Sequence, residues 1–272
     1  MSSPALEEKQ SSDTPFGLLV PERMGKALVA IAEQTGGIGV LAWRLLVRLL
    51  PPRVDRYELV RNFYKMGVRS VGIVSVTALF VGAIMVIQIA PLVVRFGATA
   101  IIGWGAGFAM LREVGPLLIA LMFSGRVGAN NTAELGTMVV TEQLDALRAL
   151  SIDPLTYLIL PRVISMIVML FVLTIFGDLV ALGGAIMSAK ALLDVDASQF
   201  LNSFFEMLDH WDFLQSLIKA TAFGVMIALT SCHFGLSTKG GAPGVGRSVN
   251  AAVVAAAIGI FVMDYFFTFV MK

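Results

Sequence analysis

Five long apolar stretches fill most of the chain after residue 66 and restrict its fold more than any other feature. A helix crosses the hydrocarbon core of a bilayer with about 20 mainly apolar residues. Of the 272 residues, 57% are hydrophobic and only 14% are charged, a composition outside that of ordinary soluble domains. The sequence therefore predicts an all-α integral membrane protein, with spans near 67–94, 98–124, 162–189, 213–238 and 248–271.

The basic residues outside these stretches predict how the protein is oriented. They are frequent before the first span and between the second and third spans, and sparse on the opposite side. The sparse side has only Arg95, Lys190 and Lys272. The positive-inside rule therefore predicts a cytosolic amino terminus and an external carboxyl terminus, in agreement with an odd number of spans.

The region before the first span has two parts. Residues 1–16 lack the apolar core of a signal peptide and are predicted to form a disordered cytosolic tail. Residues 17–66 are predicted to form cytosolic and interfacial amphipathic helices. Within them, Ile38 to Leu50 is apolar except for Arg44 and Arg48, which share one helix face. Being too short to cross, this stretch is expected to lie in the membrane plane or to pack on the protein as a cytosolic helix.

Arg112 and Glu113 lie side by side near the middle of the second apolar stretch. A charge at that depth costs roughly 2.5–3.5 kcal/mol. Neighbouring helical residues point about 100° apart, so the two side chains need different partners. Pro116 also removes the amide that would bond the Arg112 carbonyl, which predicts a kink and a free backbone acceptor. The pair therefore indicates either a polar cavity or helices joined by buried hydrogen bonds.

Other charges within the spans leave a second transport mechanism open. Asp178 and Asp264 are also costly in lipid, and a relay through Glu113, Asp178 and Asp264 would make the protein an ion-coupled secondary transporter. Asp264 lies near the outer end of its span, which favours a structural role. Lys219 is expected to extend its amine outward to the interface.

Small residues in the spans predict close helix contacts, and an acidic segment predicts an excursion on the outer side. Gly103 with Gly107, and Gly183 with Gly184, permit close helix approach, either within one chain or between two copies. The segment 190–212 contains several aspartates and is expected to be a solvated, partly helical cap.

A short amphipathic helix is predicted between the second and third spans. Thr141 is placed to cap it, Glu142 lies in its first turn, and Leu144, Leu147 and Leu150 recur at helical spacing. It should end at Asp153 and Pro154, because the residue before proline leaves helical geometry. It could be a capped loop or a docking surface for a cytosolic subunit.

The residues do not predict catalysis, nucleotide hydrolysis or nucleic-acid binding by this chain. Residues 241–248 approach the spacing of a phosphate-binding loop, but Arg247 replaces the required lysine and the flanks are membrane spans, so a tight cytosolic turn is expected. Cys232, His210 and His233 do not build a metal site, and a net charge of +1 offers no basic face for nucleic acid.

Several ordered motifs resemble one transporter family. They are LREVGP at 111–116, SGRVGA at 124–129, AELGTM at 133–138, TEQLDAL at 141–147, LIK at 217–219 and GVGR at 244–247. Together with Asp153-Pro154, Pro161-Arg162 and Asp264-Tyr265, this pattern is similar to the MlaE-type permeases, the membrane subunits of phospholipid ABC transporters that work with MCE-domain proteins. The similarity extends from about residue 60 to the end.

The resemblance implies a homodimer of five-span protomers in a bacterial inner membrane, each with an interfacial helix, and a phospholipid cavity between the two copies. It also implies that the chain itself is not catalytic, since ATP and Mg belong to a separate cytosolic ATPase, and that an MCE-domain protein covers the outer face.

The resemblance also assigns residues. Positions matching the lipid cavity are Met85, Gln88, Leu92, Val93, Phe96, Arg112 and Glu113, with Phe96 replacing a tyrosine of a relative. A coupling helix near 133–150 would contact the ATPase through Glu134, Gly136, Thr137, Thr141, Glu142, Asp145, Leu147 and Arg148. Structural roles are expected for Pro116, Gly125, Arg126, Gly128, Asp153, Pro154, Gly244, Gly246 and Asp264.

Overall fold

The computed structural model describes residues 16–48 and 55–271, and every regular element within them is helical. Within these two described ranges, five helical segments are long and apolar enough to cross a membrane, which confirms the predicted fold class. In chain order, spans one to five are Arg56–Arg95, Thr99–Val140, Leu155–Leu193, His210–Leu236 and Gly241–Val270.

A helix of 33 residues, α1 (Phe16–Arg48), precedes the spans. It begins well before the predicted interfacial stretch at Ile38, and large side chains on it such as Trp43 are exposed. The predicted tail at 1–16, apart from Phe16, and the Pro51-Pro52 end lie outside the described residues. The position of α1 in the plane of the membrane stays a prediction.

Span one is longer than its apolar core. It starts with α2 (Arg56–Met66), passes through a short 3₁₀ turn and continues as α3 (Val71–Arg95). Asp55 begins α2 by accepting a hydrogen bond from the Tyr57 amide at 2.8 Å. Residues 56–66 are thus a helical extension of the span.

Span two is interrupted twice by wider π-helical turns, one at Met110–Val114 and one at Ser124–Gly128. Pro116 lies in the first turn after the first of them. The sequence predicted a kink here. The helix instead accommodates the missing proline amide by widening the preceding turn. The α-helical parts of the span are α4 (Ile102–Ala109), α5 (Gly115–Phe123) and α6 (Ala129–Val140).

The later spans are joined by short connections. A short helix, α7 (Gln143–Ala149), leads to span three, which starts with a π-helical turn at Leu155–Ile159 and continues as α8 (Leu160–Leu193). Helix α9 (Ala197–Met207) then connects to α10 (His210–Leu236) and α11 (Gly241–Val270).

The tight turn expected at 241–248 is wrong. The chain turns at Gly240, whose φ of 87° lies in the left-handed region that glycine tolerates, and 241–248 form the first two turns of α11. A helix rather than a strand precedes this segment, so its surroundings differ from those of a phosphate-binding loop.

Helices α3 and α8 approach each other at two glycines. A Cβ atom on Gly82 would overlap the Ala181 carbonyl, and one on Gly184 would overlap the Leu79 carbonyl. Gly183 has open space around it. Gly184 therefore serves packing within one chain.

The outer segment is more than a solvated cap. Phe200 and Phe204 of α9 are buried, and a Cβ atom on Gly103 would overlap the Phe200 carbonyl. At Gly107 a Cβ atom would lie 2.5 Å from the Phe204 ring. The two glycines of span two thus allow α9 to pack closely against it. This contact was not predicted, because the acidic residues of the segment indicated a solvated surface.

Candidate functional site

A cluster of charged side chains joins spans two, four and five. Lys219 is 1% exposed, and its Nζ lies 2.9 Å from both Glu113 Oε2 and Asp264 Oδ1. The same amine donates to the Arg112 carbonyl at 2.9 Å and to Thr268 Oγ1 at 2.8 Å. The outward extension predicted for Lys219 is wrong, because two carboxylates and a free carbonyl bind its amine inside the protein. We call these residues the central polar cluster.

Arg112 and Glu113 have separate partners, as their 100° offset requires. The Arg112 guanidinium lies 3.7 Å from Asp212 Oδ1 and 5.1 Å from the centre of the Phe108 ring. Its carbonyl, which Pro116 leaves without an amide donor, accepts from Lys219. The free backbone acceptor expected from the sequence is therefore satisfied by a buried amine.

A pocket of about 480 Å³ opens beside this cluster. Arg112 and Glu113 form its polar side, and aromatic side chains form much of the remainder. The lining is Phe108, Arg112, Glu113, Tyr265, Thr268 and Phe269, and we call this cavity the Arg112 pocket. Its aromatic walls were not predicted from the sequence, although Tyr265 follows Asp264 directly.

The other positions assigned to the lipid cavity lie along or just after α3 and outside the lining of the Arg112 pocket. Gln88, Leu92 and Phe96 are exposed, Met85 is half-buried, and Val93 is buried in the core. The single chain therefore brings Arg112 and Glu113 together in one pocket, whereas the other five positions lie outside that pocket.

Asp178 does not complete a chain of carboxylates. It is 3% exposed and accepts a hydrogen bond from the Ser216 hydroxyl at 3.2 Å. Its other oxygen has no hydrogen-bond partner among the described residues. No hydrogen bond within residues 55–271 connects Asp178 to Glu113 or Asp264, so the three carboxylates are not joined by direct hydrogen bonds.

A second polar cluster joins spans one, two and three, at the end of the spans far from the central polar cluster. It consists of Lys65, Asn130, Asn131, Glu134 and Arg162. The buried Arg162 donates to Asn131 Oδ1 at 3.0 Å and to Glu134 Oε2 at 3.3 Å. Glu134 also pairs with Lys65 and accepts from Asn130 at 3.0 Å. Glu134, assigned to ATPase contact, is thus engaged inside the protein.

The connection between spans two and three differs from its prediction. Helix α6 ends at Val140, and α7 begins only at Gln143. The Thr141 hydroxyl donates back to the Thr137 carbonyl at 2.8 Å, so it does not cap the next helix. Glu142 occupies the position before α7 with a left-handed φ of 57°. The predicted cap at Thr141 is wrong because its hydroxyl is used by the preceding helix.

Helix α7 presents charges to its surroundings. Leu144 is buried and Leu147 half-buried, whereas Glu142, Asp145 and Arg148 are exposed. Arg148 and Asp145 form an ion pair at 2.8 Å. The remaining assigned contact positions divide between surface and core: Thr137 and Thr141 are exposed, and Gly136 packs close to Thr238.

Asp153 shapes the start of span three. Its carboxylate accepts from the Thr156 hydroxyl at 2.7 Å and from the Leu155 amide at 3.3 Å, across Pro154. Burial raises the pKa of Asp153, but these hydrogen bonds and the nearby Arg48 outweigh it and hold the pKa below its ordinary value.

The other residues assigned structural roles differ in their surroundings. Gly125 and Gly246 have open space where a Cβ atom would lie. A Cβ atom on Gly128 would lie 3.1 Å from Ile227, and one on Gly244 would overlap the Lys239 carbonyl. Arg126 is exposed beside the second polar cluster.

Five candidate spans among the described residues, preceded by an amino-terminal helix and joined by a buried cluster of charges, define a multi-pass membrane protein. The family described as permease MlaE matches residues 59–270, and the chain belongs to that family. It is therefore an ABC transporter permease, a non-catalytic membrane subunit that works with an ATPase.

Similar proteins support this membership across most of the chain. A probable ABC transporter permease of Synechocystis is 38% identical over 231 residues, which cover 85% of this chain and 88% of that protein. One of Rickettsia conorii is 34% identical over 92% of this chain and 96% of its own length. A chloroplast protein of Arabidopsis thaliana, named trigalactosyldiacylglycerol 1, is 34% identical over 84% of this chain and 65% of its own.

Proposed function

We propose that this permease moves phospholipids between a bacterial inner membrane and the outer envelope. The observation that carries the proposal is the Arg112 pocket, which places a guanidinium beside apolar aromatic walls. An arginine binds phosphate through charge-assisted hydrogen bonds, and Phe108 and Phe269 offer apolar area to acyl chains. A ligand with an anionic head and apolar tails matches both parts.

The chamber is proposed to form between two copies of the chain. Tyr265 and Phe269, which line the Arg112 pocket, are 75% and 72% exposed in the single chain. Gln88, Leu92 and Phe96 are exposed on and just after α3, where a second copy could enclose them. The chamber would then combine these surfaces, with Phe96 offering an apolar face and no hydroxyl to the head group.

Partners supply the energy and the outer route in this proposal. ATP and Mg bind the ATPase, which docks against the exposed charges of α7 and shifts the dimer between states with different lipid affinity. An MCE-domain protein on the outer side passes lipid onward. The carboxyl terminus is then periplasmic and the amino terminus cytosolic.

Arg112→Gln is expected to weaken phospholipid retention about tenfold or more, because a hydrogen bond to a charged group contributes about 1.5–3 kcal/mol. The measurement is mass spectrometry of lipids that co-purify with the complete transporter, together with lipid transfer in vesicles. Lys190→Gln, an exposed lysine paired with Asp194 at 2.7 Å, is the control. Unchanged lipid content in an intact Arg112→Gln assembly would contradict the proposal.

The double substitution Glu142→Lys with Asp145→Lys is expected to reduce ATPase association at least tenfold, since like charges placed at an interface cost several kcal/mol. Loss of the exposed Asp145–Arg148 pair itself should matter little. The measurement is recovery of the ATPase on the tagged permease. Glu206→Lys, exposed on α9, is the control. A fully associated and normally coupled double variant would exclude α7 as the docking site.

A further inference from the structure

A second cavity of about 480 Å³ lies beside the second polar cluster, and no role has been assigned to it. It is formed between α2 with its following turn and the far end of span two. Its polar lining is Lys65, Arg69, Arg126, Asn130, Asn131 and Glu134, and we call it the Arg126 pocket.

Positive charge is in excess in the Arg126 pocket. Glu134 is its one lining carboxylate, and it is already shared between Lys65 and Arg162. Neither Arg69 nor Arg126 has a carboxylate within ion-pair distance among the described residues, and the Arg69 guanidinium lies 5.9 Å from the Tyr64 ring centre. Two guanidinium groups from different spans are therefore available to an anion.

The depth of these two arginines favours an anion that belongs to the membrane. Arg69 lies in the short turn just before the apolar helix α3, and Arg126 lies in the π-helical turn after the apolar helix α5, at the same end of the antiparallel spans. Both therefore lie where the apolar stretches meet the polar boundary. Beside them Val68 is 57% exposed, which offers apolar surface to a chain extending into the bilayer.

We propose that the Arg126 pocket binds the phosphate of an anionic phospholipid from the leaflet at this end of the spans. Arg69 and Arg126 would hold the phosphate, and the Asn130 side chain would contact the head group. Arg126 is separated from Arg112 by about 20 Å along the helix, so this lipid is distinct from the one in the Arg112 pocket. The inference goes beyond the proposed function, because the bound lipid acts as a fixed component and not as cargo.

The consequence is a dependence on membrane composition. A phosphate shared by Arg69 of span one and Arg126 of span two draws together helices that Lys65 and Glu134 already join. Basic pockets between transmembrane helices on the cytoplasmic side are known sites for anionic head groups. The assembly should therefore be more stable in a bilayer that contains anionic lipid.

The test uses the complete transporter with its ATPase, in nanodiscs of equal phosphatidylglycerol and phosphatidylcholine. Arg69→Gln with Arg126→Gln is expected to lower phosphatidylglycerol affinity about tenfold, seen by native mass spectrometry as one fewer retained phosphatidylglycerol per chain. The phosphatidylglycerol-dependent rise in Tm should also be lost. The control is Arg56→Gln with Arg61→Gln, which removes two exposed charges of α2 outside the pocket.

Three outcomes would overturn the inference. One is unchanged phosphatidylglycerol retention in the variant. Another is equal stabilisation of the unmodified transporter by inorganic phosphate in phosphatidylcholine discs, which would indicate a site for a soluble anion. The third is loss of the ATPase with lipid retention unchanged, which would indicate a protein-docking surface. Because Arg112 is intact in every variant, these results are separable from failure of the proposed transport function.

Discussion

Lys219→Met is expected to prevent stable folding of the permease. The substitution leaves Glu113 and Asp264 facing each other without the amine that lies 2.9 Å from each. Removing one partner of a buried ion pair costs about 3–5 kcal/mol, and here two carboxylates lose the same partner. The measurement is the yield of monodisperse protein in detergent, together with its thermal unfolding midpoint.

A charge-balanced variant separates this effect from simple loss of packing. Lys219→Met combined with Glu113→Gln and Asp264→Asn removes the cation and both carboxylates together. Removing all three charges leaves no uncompensated buried charge, which is the costly result when one partner of a buried ion pair is removed alone. The triple variant should recover most of the yield. Equal loss in the single and triple variants would show that the lysine matters through its volume and not its charge.

Gly82→Ala and Gly184→Ala are each expected to lower stability by about 1–3 kcal/mol or more, because added atoms in a packed interface force backbone shifts. The new methyl groups would overlap the carbonyls of Ala181 and Leu79, which are backbone atoms of the facing helix and cannot rotate away. Thermal unfolding of the purified variants measures the effect.

Gly183→Ala is the matched control for this pair. It lies next to Gly184 in the same helix, yet nothing is found within 4 Å of the position of its added Cβ. Alanine is favoured over glycine in helices by up to about 1 kcal/mol, so this variant should be at least as stable as the parent. Similar destabilisation at 183 and 184 would mean that the close approach of α3 and α8 does not limit stability.

The number and places of the spans could be predicted because hydrophobic length is a local property of the chain. The partners of Lys219 could not. Its contacts come from spans two and five, and a single apolar helix does not reveal which face meets another span. The positions of Arg112 and Glu113 were informative, because an adjacent pair at mid-membrane requires separate partners whatever the tertiary arrangement.

The candidate site was predicted only in part for the same reason. The charges of Arg112 and Glu113 indicated a site in the sequence, and the structure places both residues in one pocket, but the aromatic walls from span five follow from helix packing. Likewise the sequence around Thr141 is typical of a helix cap, yet the Thr141 hydroxyl donates to the Thr137 carbonyl four residues earlier. A local sequence pattern does not decide whether a threonine side chain caps the next helix or bonds to the preceding one.

The two π-helical turns of span two also affect how length changes in this helix are tolerated. A π turn contains an extra residue, and each residue rotates the chain by about 100°. Deleting one residue at Met110–Val114 or Ser124–Gly128 would tighten that turn toward α-helical geometry while rotating one end of the span relative to the other. Arg112 or Glu134 would then face away from its ion-pair partner. A deletion that improves the hydrogen bonding of this helix should therefore still disable the protein.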